Sequence, residues 1–403
     1  MDLNALPQAP PQPPARPRVF ASAIQFSGKG SEYFRIWVVN ILLMLVTLGL
    51  YYPWAKVRRL RYYYNHTDID GYSLDFHGRP WRMLRSMILV GVFLALYANA
   101  GKISPVAGVV AVVALIALWP ALIRASAQFR LANTSWRGKR FRFLGSMTSA
   151  YATMVVPLMM ILLPFAWMGF TVQANAAPLA ANDLGHVGLL FLLLPLSGPY
   201  FYWLFERYLH NNYAYGNQQS ELRASVGNFY GLTLRTLGVV LLAMLALITV
   251  ALVFVLVAVG TSNAAKLFSG GPSDLKNSGA AFMLFGAAVT AVYLSMVIVV
   301  RCYWITRSQN LIWSKTGNSQ LRFRSELKLW PFMRLTIKNW LLIVVTLGFY
   351  WPFAAIATYR ARIQAVRVAS RQPLEQLSGG PQGGGNDACG DMAADMAGLD
   401  FGL

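Results

Sequence analysis

The sequence predicts an all-α polytopic membrane protein with small β-hairpin or turn elements in its cytoplasmic loops. Three observations carry that reading. Apolar residues make up 56% of the 403-residue chain and charged residues only 12%, against roughly 25% charged in soluble domains. Six segments are long enough to cross a bilayer, which takes about 20 mainly apolar residues. Finally, Lys and Arg collect in loops on one side of those segments, as the positive-inside rule requires. A mean hydropathy of +0.45 excludes a disordered chain and an ordinary cytosolic globule.

In chain order, residues 1–23 form a Pro-rich tail (Pro7, Pro10, Pro11, Pro13, Pro14, Pro17). It lacks the apolar run of a secretion signal and is expected to be extended and disordered. A membrane domain follows over 24–370. Its six clear segments are Met83–Asn99, Pro105–Ile123, Tyr151–Val172, Val187–Phe205, Thr233–Val259 and Ala281–Trp304. Residues 371–403 make a Gly-rich tail, also expected to be disordered, with Glu375, Asp387, Asp391, Asp395 and Asp400 and no base beyond Pro373. The whole chain is nevertheless at +20. Because the bases lie between hydrophobic segments, they point to anionic membrane lipids as partners and away from nucleic acid.

The loops fix sidedness. The 58–82 loop carries Arg58, Arg59, Arg61, Arg79 and Arg82, and the 124–150 and 301–335 loops are similarly basic. Loop 206–232 is weaker, with Arg207 and Arg223 against Glu206 and Glu221. Opposite them, 100–104 has only Lys102, 173–186 has no base, and 260–280 has Lys266 and Lys276. The first set is cytoplasmic. The six segments then form three helical hairpins with cytoplasmic ends.

Two shorter segments, Ile36–Trp54 and Thr336–Ala357, each contain an Asn near the start (Asn40, Asn339), a central Thr-Leu-Gly and a Pro near the end. Both flanks of each are basic, which a re-entrant segment satisfies. Length favours a full crossing, giving up to eight spans.

Internal repetition is visible. Val46-Thr-Leu-Gly-Leu-Tyr-Tyr-Pro-Trp-Ala55 recurs as Val345-Thr-Leu-Gly-Phe-Tyr-Trp-Pro-Phe-Ala354. Phe26-x-Gly28, Phe76-x-Gly78 and Phe143-x-Gly145 stand before hydrophobic blocks, with Phe323-x-Ser325 and Leu222-x-Ala224 as degraded copies. Upstream, Thr67, Gly71 and Phe76 share their spacing with Thr134, Gly138 and Phe143, and with Ser314, Asn318 and Phe323. Asp70-Gly71 is a two-residue hairpin signal, so each cytoplasmic loop is expected to fold as a small turn or hairpin.

The stretches Tyr33-Phe-Arg35-Ile-Trp-Val-Val-Asn40, Thr47-Leu-Gly-Leu-Tyr-Tyr-Pro-Trp-Ala-Lys-Val-Arg58 and Tyr64-Asn65-His66-Thr67-x-x-x-Gly71 resemble the YjgN family over roughly 24–370. That resemblance implies a multi-pass protein of the bacterial inner membrane, built around a domain of unknown function. It implies no catalytic residue.

Chemistry is sparse. The long segments have no ionisable group at their centres, where proton and ion paths place them. His66, His77, His186 and His210 show no metal-ligand spacing and no acidic partner, and Cys302 and Cys389 sit in unlike contexts. No metal, cofactor or catalytic site is expected. Glu206-Arg207 reads as an interfacial ion pair, Asp70 as a turn residue, and Asp68 and Asp75 as partners of Arg58 or Arg61. The aromatic–basic helix ends suit lipid headgroups, with arginine on phosphate. The candidate headgroup or ligand contacts are Arg35, Asn40, Trp54, Arg58, Arg61, Asn65, Thr67 and Asn339. Three functions compete. A transporter or channel between repeats is the first. A non-catalytic anionic-lipid-binding or scaffolding protein is the second, with a second copy or another membrane protein as its other partner. A lipid-modifying enzyme is the third.

Overall fold

A computed structural model describes residues 20–175, 181–260 and 275–374. Strand β1 (Phe20–Phe26) leads into helices α1 (Gly30–Val46) and α2 (Tyr52–Asn65), then strands β2 (Thr67–Ile69) and β3 (Tyr72–Phe76). Helices α3 (Pro80–Ile103) and α4 (Pro105–Ala132) precede β4 (Thr134–Trp136) and β5 (Lys139–Phe143). Helices α5 (Met147–Asn175) and α6 (Ala181–His210) precede β6 (Tyr213–Tyr215), β7 (Gln218–Gln219) and β8 (Glu221–Leu222). Helices α7 (Val226–Gly260) and α8 (Leu275–Lys315) lead to β9 (Thr316–Gly317) and β10 (Leu321–Ser325). The chain continues with α9 (Leu329–Val345), α10 (Trp351–Ile363) and β11 (Val366–Ser370).

The helical membrane class holds. Among the described residues, five helical stretches are long and apolar enough to cross a membrane: Pro80–Ile103, Pro105–Ala132, Met147–Gly169, Val226–Val253 and Gly286–Lys315. The sixth expected segment, Val187–Phe205, lies in α6, where the side chains of 187 and 189–195 fall outside the described residues. The tails before Phe20 and after Leu374 also lie outside them. Residues 20–23, taken with the tail in the sequence reading, lie in β1.

The strands correct the all-α expectation. They are more than isolated turns: all pair antiparallel in one sheet, in the order β7-β6-β5-β4-β3-β2-β1-β11-β10-β9-β8. Its two ends, β7 and β8, are separated only by Ser220, so the ladder returns on itself as a ring. The terminal strands close it, with Phe20 opposite Ser370 and Ala23 opposite Arg367. The hairpin expectation at Asp70-Gly71 is met. Both residues have positive φ (55° and 78°), as do Arg137 and Gly138 (48° and 76°), the geometry that matches a two-residue turn to strand twist.

One junction recurs around the ring. The backbone N–H of Ser27 donates to His66 O (3.0 Å), His77 to Asn133 O (2.8 Å), Leu144 to Asn212 O (2.9 Å), Arg223 to Lys315 O (2.8 Å) and Glu326 to Ala365 O (2.9 Å). In register, Phe26 faces Thr67, Phe76 faces Thr134, Phe143 faces Tyr213, Leu222 faces Thr316 and Ser325 faces Val366. Two sequence assignments shift accordingly. The residue equivalent to Thr67 is Thr316 rather than Ser314, and the copy of Phe-x-Gly is Ser325-x-Leu327 rather than Phe323-x-Ser325. The reason is steric. A Cβ at Gly28, Gly78 or Gly145 would meet the preceding Phe ring at 2.6, 2.5 and 2.5 Å. Where the ring is absent, at Leu222 and Ser325, Ala224 and Leu327 fit.

Each short segment is two helices joined by a tight turn, and both outer ends enter the same sheet. This corrects the single-crossing alternative. In the first turn Leu48 and Gly49 take φ of 50° and 89°; in the second, Leu347 and Gly348 take 49° and 94°. Thr47 Oγ1 donates to Leu43 O (2.7 Å) and accepts from Tyr51 N (3.0 Å). Thr346 repeats this with Leu342 O (2.6 Å) and Tyr350 N (2.9 Å). The Thr-Leu-Gly motif thus reverses the chain instead of kinking a span. Substantial helix contacts run between chain neighbours all the way round, and α10 returns to pack on α1.

Candidate functional site

Where the helix ends meet the strand ring, the inward-facing residues line a partly open cavity of 260 Å³. Two local rules place its walls. First, Thr67, Thr134 and Thr316 each begin a strand and donate to a carbonyl of the preceding helix (Tyr63, Arg130 and Ile312 O, each 2.8 Å). These bonds satisfy carbonyls that a helix end leaves unpaired. Second, strand alternation turns one face of each hairpin inward. Tyr64, Trp136, Phe141, Tyr215, Trp313 and Phe323 supply most of the aromatic wall. The rings pack edge-on or tilted: Trp136–Tyr215 at 5.4 Å, Phe141–Tyr215 at 5.0 Å and Trp313–Phe323 at 5.3 Å between centroids.

The cavity's polar atoms are tied together. Asn318 Nδ2 donates to Gln218 Oε1 (2.9 Å), and Arg362 Nε donates to Gln309 Oε1 (3.0 Å). Tyr215 Oη donates to Trp136 O (2.9 Å), and the Trp136 indole N–H donates to Tyr72 O (3.2 Å). Burial pushes the Tyr213 and Tyr215 phenols above their ordinary range, with Arg137 partly offsetting the rise at Tyr215. Both rings are therefore neutral. Arg130 and Arg362 also line the cavity. An apolar wall with a few fixed polar groups is suited to enclosing a hydrophobic chain and orienting its polar end.

Of the candidate headgroup or ligand contacts, Thr67 alone reaches this cavity; it is buried and its hydroxyl lies 3.2 Å from Tyr359 Oη. Asn40 is buried between α1 and α2 and accepts from Arg58 Nη1 (3.4 Å). Asn339 is buried between α9 and α10, donating to Ala354 O and Thr358 Oγ1 (both 3.4 Å). The paired asparagines thus tie each reversing hairpin together. Arg61 Nε donates to Phe76 O (3.4 Å). Asn65, with its amide turned to satisfy both neighbours, donates to Arg61 O (3.1 Å) and Asp75 Oδ1 (3.0 Å). Trp54 packs edge-on against Trp81 (5.0 Å), and Arg35 is exposed. Asp70 occupies its turn as expected and also pairs with Arg137 (2.9 Å).

One cluster escaped the sequence reading. His210 Nε2 lies 3.4 Å from Glu206 Oε2, and its Nδ1 lies 3.0 Å from the cavity-lining Thr316 Oγ1. Glu206 is therefore not paired with Arg207, whose guanidinium stacks on Trp203 at 5.0 Å. The signal was there: Glu206 precedes His210 by one helical turn. The aromatic wall had no such signal, because its residues come from nearly every unit of the chain.

The family described as "Bacterial protein of unknown function (DUF898)" matches residues 21–396. Among curated proteins, the "Inner membrane protein YjgN" of Escherichia coli O157:H7 is 28% identical over 175 residues, 43% of each chain. That of Escherichia coli strain K12 matches to the same extent. That of Salmonella typhimurium is 33% identical over 129 residues, 31% of this chain and 32% of the relative. The chain thus spans less than half the length of these curated relatives in each match. No solved structure matches. The relatives' names and the apolar helices place the chain in the bacterial inner membrane as a multi-pass protein.

Proposed function

The chain belongs to the DUF898 family, is YjgN-like, and on that footing we propose that it is a non-catalytic binding protein for an amphiphile of the inner membrane's cytoplasmic leaflet. The observation that carries this reading is the aromatic-walled cavity at the meeting of helix ends and strand ring. An amphiphile is the ligand class that matches an apolar wall edged by glutamine, asparagine and arginine.

The arrangement we infer has five units, each a strand, a pair of helices and a strand. Helices α3 to α8 supply six spans. The α1–α2 and α9–α10 hairpins dip part-way and return. A 17-residue helix such as α1 is about 25 Å long, short of the roughly 30 Å hydrocarbon core, and its first turns are polar.

Conduction is the weaker alternative. A water-filled path needs a polar stripe along its lining helices. On α7, Leu234, Leu237, Leu241, Leu242, Leu245, Ile248, Val250 and Val253 are all exposed and wrap most of the circumference, as helices immersed in lipid do. A catalytic reading also lacks support, since the Thr316 hydroxyl is engaged in capping α8.

The test is photocrosslinking in native membranes. With a photoreactive residue in place of Trp313, lipid-mass adducts are expected. Adducts at a lipid-facing position such as Leu241, with none at Trp313, would overturn the proposal.

A further inference from the structure

A second site lies on the outer face of α7 and α8, away from the axial cavity. We propose that the groove between these helices is a binding site for the phosphate of an anionic phospholipid headgroup, held by Arg235, Arg307 and Lys315. The groove encloses 400 Å³ and is lined by these three cations together with Tyr303, Gly227 and Gly231. All three cations are exposed, and none lies within ion-pair distance of a carboxylate among the described residues. The Arg307 guanidinium is stacked over the Tyr303 ring at 5.6 Å, which limits its swing while leaving its N–H edge to an acceptor.

Depth selects the ligand. Arg235 follows the start of α7 at Val226 by nine residues, and Arg307 precedes the end of α8 at Lys315 by eight. At 1.5 Å per residue the Cα atoms of both arginines stand about 12–14 Å from the strand ring. Beyond Arg235, α7 is apolar through Gly260. On α7 Arg235 is thus the last charge before the hydrocarbon, and on α8 Arg301 stands six residues deeper than Arg307, so both groove arginines lie on the cytosolic side of that limit, at the level of lipid phosphates.

The glycines make the opening. Arg35, Arg85 and Arg334 each follow Phe26, Phe76 and Ser325 by nine residues, and at the same distance from Leu222 stands Gly231. A Cβ at Gly231 would have nothing within 4 Å. The unit after Phe143 has Ala152 at that position, so here the glycine leaves room beside the backbone and Arg235 stands one turn further along.

Native mass spectrometry of the full chain, extracted from vesicles of phosphatidylglycerol and phosphatidylcholine, tests the site. Arg235→Gln and Arg307→Gln should each reduce retained phosphatidylglycerol about fivefold, with phosphatidylcholine retention and melting midpoint unchanged. Arg235→Lys should keep most of it. Arg334→Gln, an interfacial arginine outside the groove, should match wild type. A parallel arm adds excess inorganic phosphate. Failure of phosphate to displace the lipid identifies a lipid headgroup as the source; equal displacement makes free phosphate the ligand and overturns the lipid assignment. Equal loss in Arg334→Gln, or no loss in either groove variant, overturns the site. The axial cavity is read separately, by photocrosslinking at Trp313, so failure of the groove leaves that reading standing.

Discussion

The Phe-x-Gly pairs show how one contact constrains two positions. At Gly78 an added Cβ would sit 2.5 Å from the Phe76 ring, and the ring is held from its other side by Tyr64 at 5.6 Å. Gly78→Ala is expected to lower stability by about 1–3 kcal/mol, the usual cost of overpacking. Adding Phe76→Leu should recover part of that loss, because Leu222 and Ala224 already coexist at the equivalent place. Thermal melts of the two single variants and the double variant measure the coupling. Strict additivity would contradict the steric account. The glycines were legible in sequence as a recurring pattern. Their cause was not, since the ring folds back onto its own strand end only once the next unit's threonine has fixed the register.

At the scale of elements, Thr-Leu-Gly is the informative case. Its repetition and hydroxyl were plain in the sequence, yet a Gly within an apolar run reads equally as a kink or a reversal. Two features decide for reversal: left-handed φ at both Leu and Gly, and a Thr hydroxyl that donates to one helix and accepts from the next. Gly348→Val, in open space at φ 94°, should cost about 1–2 kcal/mol through backbone strain alone, read as a lower melting midpoint. Topology follows from the same turn. A cysteine replacing Leu347, 89% exposed at the tip, should resist impermeant thiol reagents added from either face, whereas one replacing Asp70 should react from the cytoplasmic face. Labelling of the Leu347 position from the periplasm would mean that this hairpin crosses the whole bilayer.

Across the whole molecule, the hairpins and the long helices were legible because their signals are local: two-residue turns, apolar length and arginine sidedness. Ring closure was not. It joins β1 to β11, strands at opposite ends of the chain, and a single sequence carries no pattern that names a partner so far away. The cavity inherits that blindness, since its lining runs from Ile24 to Leu374. Closure also makes a stability prediction. Val368 is buried in β11 between β1 and β10. Val368→Asp would bury an unpaired carboxylate there and should cost several kcal/mol. The expected readout is loss of the monodisperse detergent-purified species.

The central claim is that the axial cavity holds an amphiphile. Ala214, buried in the cavity wall, offers a direct way to fill that space. In an Arg235→Gln background, which depletes the outer groove, native mass spectrometry of the gently extracted protein should show a lipid-range adduct that disappears when Ala214→Phe is added while the melting midpoint is maintained. An adduct of the same mass and abundance with and without Ala214→Phe in that background would contradict the account.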